Sequence, residues 1–297
     1  MEQVVQQLIN WVALGAIYSL LAIGFSLLFG VLNVIQFSHG DVALTAPFLA
    51  MTAMAIFPAA GLGVAVGVAI IAVGAIGVVL DRLAIRRFRT SPPMMALVAT
   101  VALGIVIREL IRLMYPNGSN PHPFPHLFEG TAMTLAGAPV SWLVVAMLTT
   151  SVFLVGGLTV FLFATTMGRR IRAVSQDMEM ARMLGINPNR VFQVTFFIAS
   201  ATGAVGGIFF ASYVGLMRFD LGIIIGLLGF SAAVIGGLGS MSGAILGSML
   251  LAALDTLAQA IIPGGASYRL VVAFVLVIVV LVFRPAGLLG RTTIEKV

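Results

Sequence analysis

The sequence predicts an all-α polytopic membrane protein: a bundle of about eight to nine transmembrane spans, with a broken or re-entrant second span and a short helix on the cytoplasmic face. Three observations predict it. The 297-residue chain is 60% hydrophobic and only 9% charged, whereas a soluble domain carries about 25% charged residues. So few charges cannot cover an aqueous surface, so the bilayer is the solvent and helices must satisfy the backbone within it. The apolar runs reach the roughly 20 residues that a span requires. The positive charges, 15 Arg and the single Lys296, gather in short stretches between those runs. Residues 1–297 therefore read as a single transmembrane domain. Their net charge of +6 belongs to loops, not to a nucleic-acid surface. Cysteine is absent, which excludes disulfides, thiolate zinc sites and thiol catalysis.

The first apolar run is 8–30. The preceding "MEQVVQQLINW" has no basic n-region and no small-residue cleavage site, so the run is expected to stay as an anchor. Next comes "NVIQFSHGD" (33–41), with Asn33, Ser38, His39, Gly40 and Asp41 in an otherwise apolar region. His39 and Asp41 are two residues apart and share no face of a regular helix. In a segment broken at Gly40 both can face a cavity; in a plain loop their polarity needs no explanation. The residues alone leave both readings open. A charged form of either at the bilayer centre costs on the order of 2.5–3.5 kcal/mol.

Further spans are expected at 42–58, 61–80, 93–114, 140–163, 191–213, 221–238, 243–262 and 268–284. Basic stretches orient them. Arg82, Arg86, Arg87 and Arg89 lie between the third and fourth; Arg169, Arg170, Arg172, Arg182 and Arg190 lie in 167–190; Arg284, Arg291 and Lys296 close the chain. All are expected inside, and the N-terminus outside. The loop 115–139 has no Lys or Arg and five prolines, so an irregular, extended outside loop is expected. Its His122 and His126 are separated by prolines and read as surface residues. Arg108, Glu109, Arg112, Asp255 and Gln259 lie near the outer ends of their spans, where snorkelling or pairing is expected. Small residues four apart in "GAVGG" (203–207) and "GGLGSMSGAILG" (236–247) predict close helix packing or a tight turn.

A P-loop needs a lysine after its glycines, and Lys296 has no such loop before it. The chain therefore carries no Walker A site and is not itself an ATP-hydrolysing enzyme. It draws on an ion gradient or on another subunit. The segment 165–190 bears on that choice. A helix is expected over 175–184, with Met178, Ala181, Met183 and Leu184 near one face and Asp177 and Arg182 away from it. Gly185 is placed to stop it, and Asn187-Pro188 to start the next helix. An apolar face on such a helix suits a groove on another protein or lipid headgroups.

"EMARMLG" (179–185) resembles the E-A-A-x-x-x-G signature of ABC importer permeases: Glu179, Ala181 and Gly185 match and Met180 departs from it. "GAIYSLLAIGFSLLFGVLNVIQFSHGDVAL", "MGRRIRAVSQDMEMARMLGINPNRV", "AAVIGGLGSMSGAILGSML" and "FRPAGLLGRTTIEKV" resemble, in order and along nearly the whole chain, the LivH-type permeases of branched-chain amino acid ABC importers. The resemblance implies a bacterial inner-membrane permease for branched-chain amino acids, with urea or amides as alternatives. It implies a sister permease, two ATPase subunits that hold the ATP and Mg, and an extracytoplasmic binding protein. Glu179, Ala181, Arg182 and Gly185 would then form a coupling helix on an ATPase. Asn33, Ser38, His39, Gly40 and Asp41 would border the substrate pathway at a broken second span. A proton-coupled transporter with His39 and Asp41 as a relay is the competing class. An intramembrane hydrolase finds no nucleophile elbow or HExxH motif.

Overall fold

The computed structural model describes residues 2–88 and 92–290; Arg89, Arg291 and Lys296 lie outside them. Its longer helices are α1 (Glu2–Leu32), α2 (His39–Ile56), α3 (Gly61–Leu80), α4 (Pro93–Met114), α5 (Trp142–Ala164), α6 (Thr166–Gln176), α7 (Met178–Met183), α8 (Pro188–Val214), α9 (Leu221–Gly236), α10 (Met241–Ile261) and α11 (Arg269–Phe283). Each expected span has its helix. Among the described residues seven are long and apolar enough to cross a membrane, and α9 and α11 are apolar but shorter.

α1 is the axis of the bundle. It packs on α8, α9 and α10, and residues 13–28 are buried without interruption. That explains its lack of a polar stripe: a helix surrounded by others is apolar on every side. α3, α4 and α5 form the rim, with less than a third of their apolar stretches buried. Their exposed Val, Ile, Leu, Phe and Met side chains suit lipid, which also leaves every helix to satisfy its own backbone.

Glycines set the close approaches. A Cβ on Gly247 would strike the carbonyl of Ala232 in α9, and one on Gly207 the carbonyl of Ala43 in α2. Gly237 (φ +106) and Gly239 (φ +85) turn the chain between α9 and α10, and the Ser240 side chain caps α10. The packing and the turn expected from 203–207 and 236–247 are both present. After α11 the chain doubles back, and the amides of Leu288 and Leu289 donate to Ile235 and Gly236, both at 2.9 Å. The last carbonyls of α9 are thereby satisfied.

Three local expectations are corrected. The basic stretch after α3 is not a loop: a π-turn (Asp81–Ile85) and one more turn (Arg86–Phe88) continue the helix. The expected helix 175–184 is divided at Asp177, whose extended backbone ends α6 and whose carboxylate accepts from the amides of Glu179 and Met180, both at 2.9 Å. The 115–139 segment is not simply irregular. β1 (His122–Pro123) pairs with β4 (Leu216–Met217), and β2 (Thr131–Leu135) pairs with β3 (Ala138–Ser141), all antiparallel. The β2–β3 hairpin turns at Ala136 and Gly137, both at positive φ, the geometry that matches the strand twist.

Candidate functional site

The polar stretch 33–41 divides into a turn, an extended connector and the first turn of α2. Asn33 ends α1 at φ +52 and is exposed; it does not join His39. The break therefore falls at 33–38, and not at Gly40, which lies inside α2. The connector runs beside α4: the Phe37 amide donates to Thr100 Oγ1 and that hydroxyl to the Ile35 carbonyl, both at 3.3 Å. α2 thus begins level with the middle of its neighbours. A Cβ on Gly104, halfway along α4, would run into the Asp41 carboxylate.

The residues of the first turn point in different directions. His39 is fully buried, in a notch left by Gly24 of α1 and Gly203 of α8, with its ring edge-on to Phe25 at 4.8 Å. Gly40 lies against Gly222 and Gly226 of α9, where a Cβ would enter the α9 backbone. Glycine is needed here for close approach, not for a break. Asp41 points the other way from His39, between Gly104 of α4 and Gly222 of α9. The buried Ser38 accepts from Gln36 Nε2 at 3.3 Å.

Asp41 has a partner that sequence reasoning missed. Arg108 Nε of α4 stands 3.4 Å from Asp41 Oδ1, so Arg108 does not simply snorkel outward. The contact is loose. Asp41 Oδ1 has no hydrogen bond although it is buried, and Arg108 Nε donates to its own Gly104 carbonyl at 3.3 Å. Arg112 pairs with Glu109 at 2.6 Å, as their spacing predicted.

Asp255 pairs, as expected, but is fully buried within the bundle. Tyr18 of α1 donates to it at 2.7 Å, Gln259 at 2.9 Å and Arg269 Nε of α11 at 3.2 Å, with Arg269 Nε 3.0 Å from the other carboxylate oxygen. This carboxylate is saturated, and the cluster ties three helices together. His126 Nδ1 lies 3.0 Å from the Ser212 carbonyl and His122 Nε2 3.0 Å from that of Asn117, so both rings tie down the loop.

The second candidate region is α7. Gly185, at φ +78, closes it: its amide donates to Arg182 O at 2.9 Å and the Ile186 amide to Ala181 O at 3.0 Å. These paired bonds are a Schellman ending. Asn187 then caps α8 with Pro188 in its first turn. The stop and the start both follow the sequence reading; the facing does not. Ala181 is buried in one apolar cluster with Val191 and Phe192, and Met178 and Ile186 pack against that cluster. Met180, Met183 and Leu184 project outward, the last two 82% and 73% exposed. Glu179 and Arg182 are exposed beside them.

The geometry is that of a membrane bundle with a buried, loosely paired carboxylate at Asp41 and an apolar surface turned outward on α7. The family model described as branched-chain amino acid transport system, permease component, matches residues 7–281. The chain is 32% identical to the high-affinity branched-chain amino acid transport system permease protein BraD of Pseudomonas aeruginosa, over 98% of this chain and 97% of that one. It is 33% identical to the correspondingly named LivH of Escherichia coli K12, with the same coverage. A chain of PsaBC from Streptococcus pneumoniae in complex with Fab aligns over 92% of this chain and 89% of that one, at TM-score 0.46 and 11% identity, too loosely to carry an argument. On the family match and these relatives, the chain belongs to the branched-chain amino acid transport system permease family.

Proposed function

We propose that this chain is the membrane permease of an ATP-driven importer in the bacterial inner membrane, moving branched-chain or related hydrophobic amino acids into the cytoplasm by alternating access. Its family and the names of its relatives support the substrate class. The observation that carries the coupling is α7. It is held from behind by Ala181 and Ile186 and offers Met180, Met183 and Leu184 outward. A helix anchored on one face and apolar on the other fits a groove on a partner.

Two ATPase subunits would hold ATP and Mg and push on α7, a second homologous permease would complete the passage, and a binding protein would deliver the amino acid. ATP then has to bias two states that lie within a few kcal/mol of each other. The connector 33–38 would re-enter the bundle to place the first turn of α2 at mid-depth, where broken helices of transporters hold their substrates. In this reading Asp41, with Ser38 beside it, borders the pathway. His39 and Gly40 seat the helix, and Asn33 lies at the cytoplasmic mouth.

The test is co-purification of the permease pair with its ATPases, followed by ATP hydrolysis on addition of leucine-loaded binding protein. Stimulation is expected for the wild type. It should be lost in Leu184→Asp at unchanged permease yield; full stimulation of that variant would contradict coupling through α7.

A further inference from the structure

The rim helices α3, α4, α5 and α11 all turn apolar side chains outward, but they differ in charge. α3 and α5 carry no ionisable residue. The one on α11, Arg269, opens the helix and is paired with the buried Asp255. α4 carries three: Arg108, Glu109 and Arg112. Arg108 leans on Asp41 at 3.4 Å. The Glu109–Arg112 pair is half-open, with side chains 44% and 39% exposed.

Their depth decides what they can face. α4 has 22 residues and is about 33 Å long at 1.5 Å per residue, close to the roughly 30 Å of hydrocarbon. Glu109 stands about 8 Å beyond the middle of the helix, still well inside that layer. Arginine snorkels to the headgroups from such a position, but the glutamate side chain is too short to follow. Ionisable side chains at this depth face protein or a water-filled cavity, not lipid. Among the described residues α4 packs on α2 and on the turns that extend α3, and has no other substantial interface. The chain itself leaves the Glu109–Arg112 side uncovered.

Spacing gives the missing cover its shape. Met94, Val98, Val101, Ile105, Arg108 and Arg112 follow one another at alternating steps of four and three, the period of a seam against another helix. The first four are exposed, so the seam is apolar on its cytoplasmic half and charged on its outer half. Resting on the import reading above, we propose that this seam of α4 is turned to the second permease. Its apolar half packs on a helix of that subunit, and its charged half faces the same subunit across the passage. Asp41 and Glu109 balance the two arginines, so the facing surface needs hydrogen-bonding groups or water, not a net charge. α3 and α5, which carry no charge, are left to the lipid.

The complete importer is assembled with p-benzoylphenylalanine at Ile105 in the seam, at Leu110 on the far flank of α4, or at Ile71 of α3, and irradiated. Ile105 and Leu110 are equally exposed, at 49%, so exposure alone predicts equal yields. Ile105 is expected to cross-link to the second permease at least fivefold more than either other position; any smaller ratio overturns the proposal. If the bulky residue at Ile105 blocks assembly, a smaller probe decides. The chain has no cysteine, so Ile105→Cys and Ile71→Cys each take one spin label in an importer whose other subunits lack cysteine. Both positions lie near the middle of their helices, where lipid gives equal access to oxygen. The label at Ile105→Cys is expected to be at least threefold less accessible than that at Ile71→Cys, and any smaller protection overturns the proposal. A purified complex without a second permease would instead end the import reading, so the two failures are told apart.

Discussion

Gly40 of α2 and Gly226 of α9 meet backbone to backbone: a Cβ on Gly226 would stand 3.1 Å from the Gly40 Cα. Neither side can yield, because both are helix backbone. Gly40→Ala is expected to destabilise the protein by about 1–3 kcal/mol, the usual cost of overpacking. Gly63, whose Cβ would meet nothing within 4 Å, should accept alanine with no loss. Thermal unfolding of the two purified variants checks the contrast. Equal melting temperatures would mean that the contact at Gly40 is not tight.

The Asp255 cluster makes a graded prediction. Tyr18→Phe removes one of several donors and is expected to cost about 1 kcal/mol. Arg269→Met leaves a buried carboxylate without its cation and is expected to cost about 3–5 kcal/mol. Adding Asp255→Leu to Arg269→Met removes the orphaned charge and should restore part of that loss. Melting temperatures of the series read the order. Arg269→Met with wild-type stability would show that the pair contributes nothing to the bundle.

The two faces of α7 separate in the same way. Leu184→Asp changes an exposed side chain and should leave the melting temperature unchanged while releasing the ATPase subunits. Ala181→Asp buries a charge in the apolar cluster that includes Val191 and Phe192 and should lower the yield of folded protein. Gly185→Ala forces a side chain into the left-handed region, at about 1–2 kcal/mol. Co-purification and melting temperature together distinguish docking from folding. An Ala181→Asp protein of normal stability that has lost only its ATPases would restore Ala181 to the docking face.

The membrane helices were legible because burial in lipid or protein demands long apolar runs, and α1 to α5 and α8 to α11 fall where those runs are; the polar α6 has no such run and was not legible. Local punctuation was legible too: Gly185 and Asn187-Pro188 act within a few residues of themselves, so their chemistry is written in the sequence. Contacts between helices were not. Nothing in the chain order joins Asp41 to Arg108, or Tyr18 to Asp255 and Arg269. Gly40 was misread as a hinge because a glycine's freedom and its small size leave the same letter; only the position of α9 decides between them. Ala181 was misfaced because α7 spans just Met178–Met183, too few turns for periodicity to show which side is inward.

ATP-driven import by the assembled permease and gradient-driven transport by this chain alone make opposite predictions for uptake. Radiolabelled leucine uptake is followed in proteoliposomes containing either this chain alone or the complete importer with its binding protein, with ATP or a proton gradient as the energy source. His39 and Asp41 face opposite sides of α2, which leaves a proton relay without a path between them. Uptake is expected only with the complete importer and ATP, and it should persist when a protonophore collapses the gradient. Uptake by this chain alone, driven by the gradient and indifferent to ATP, would rule out ATP-driven import.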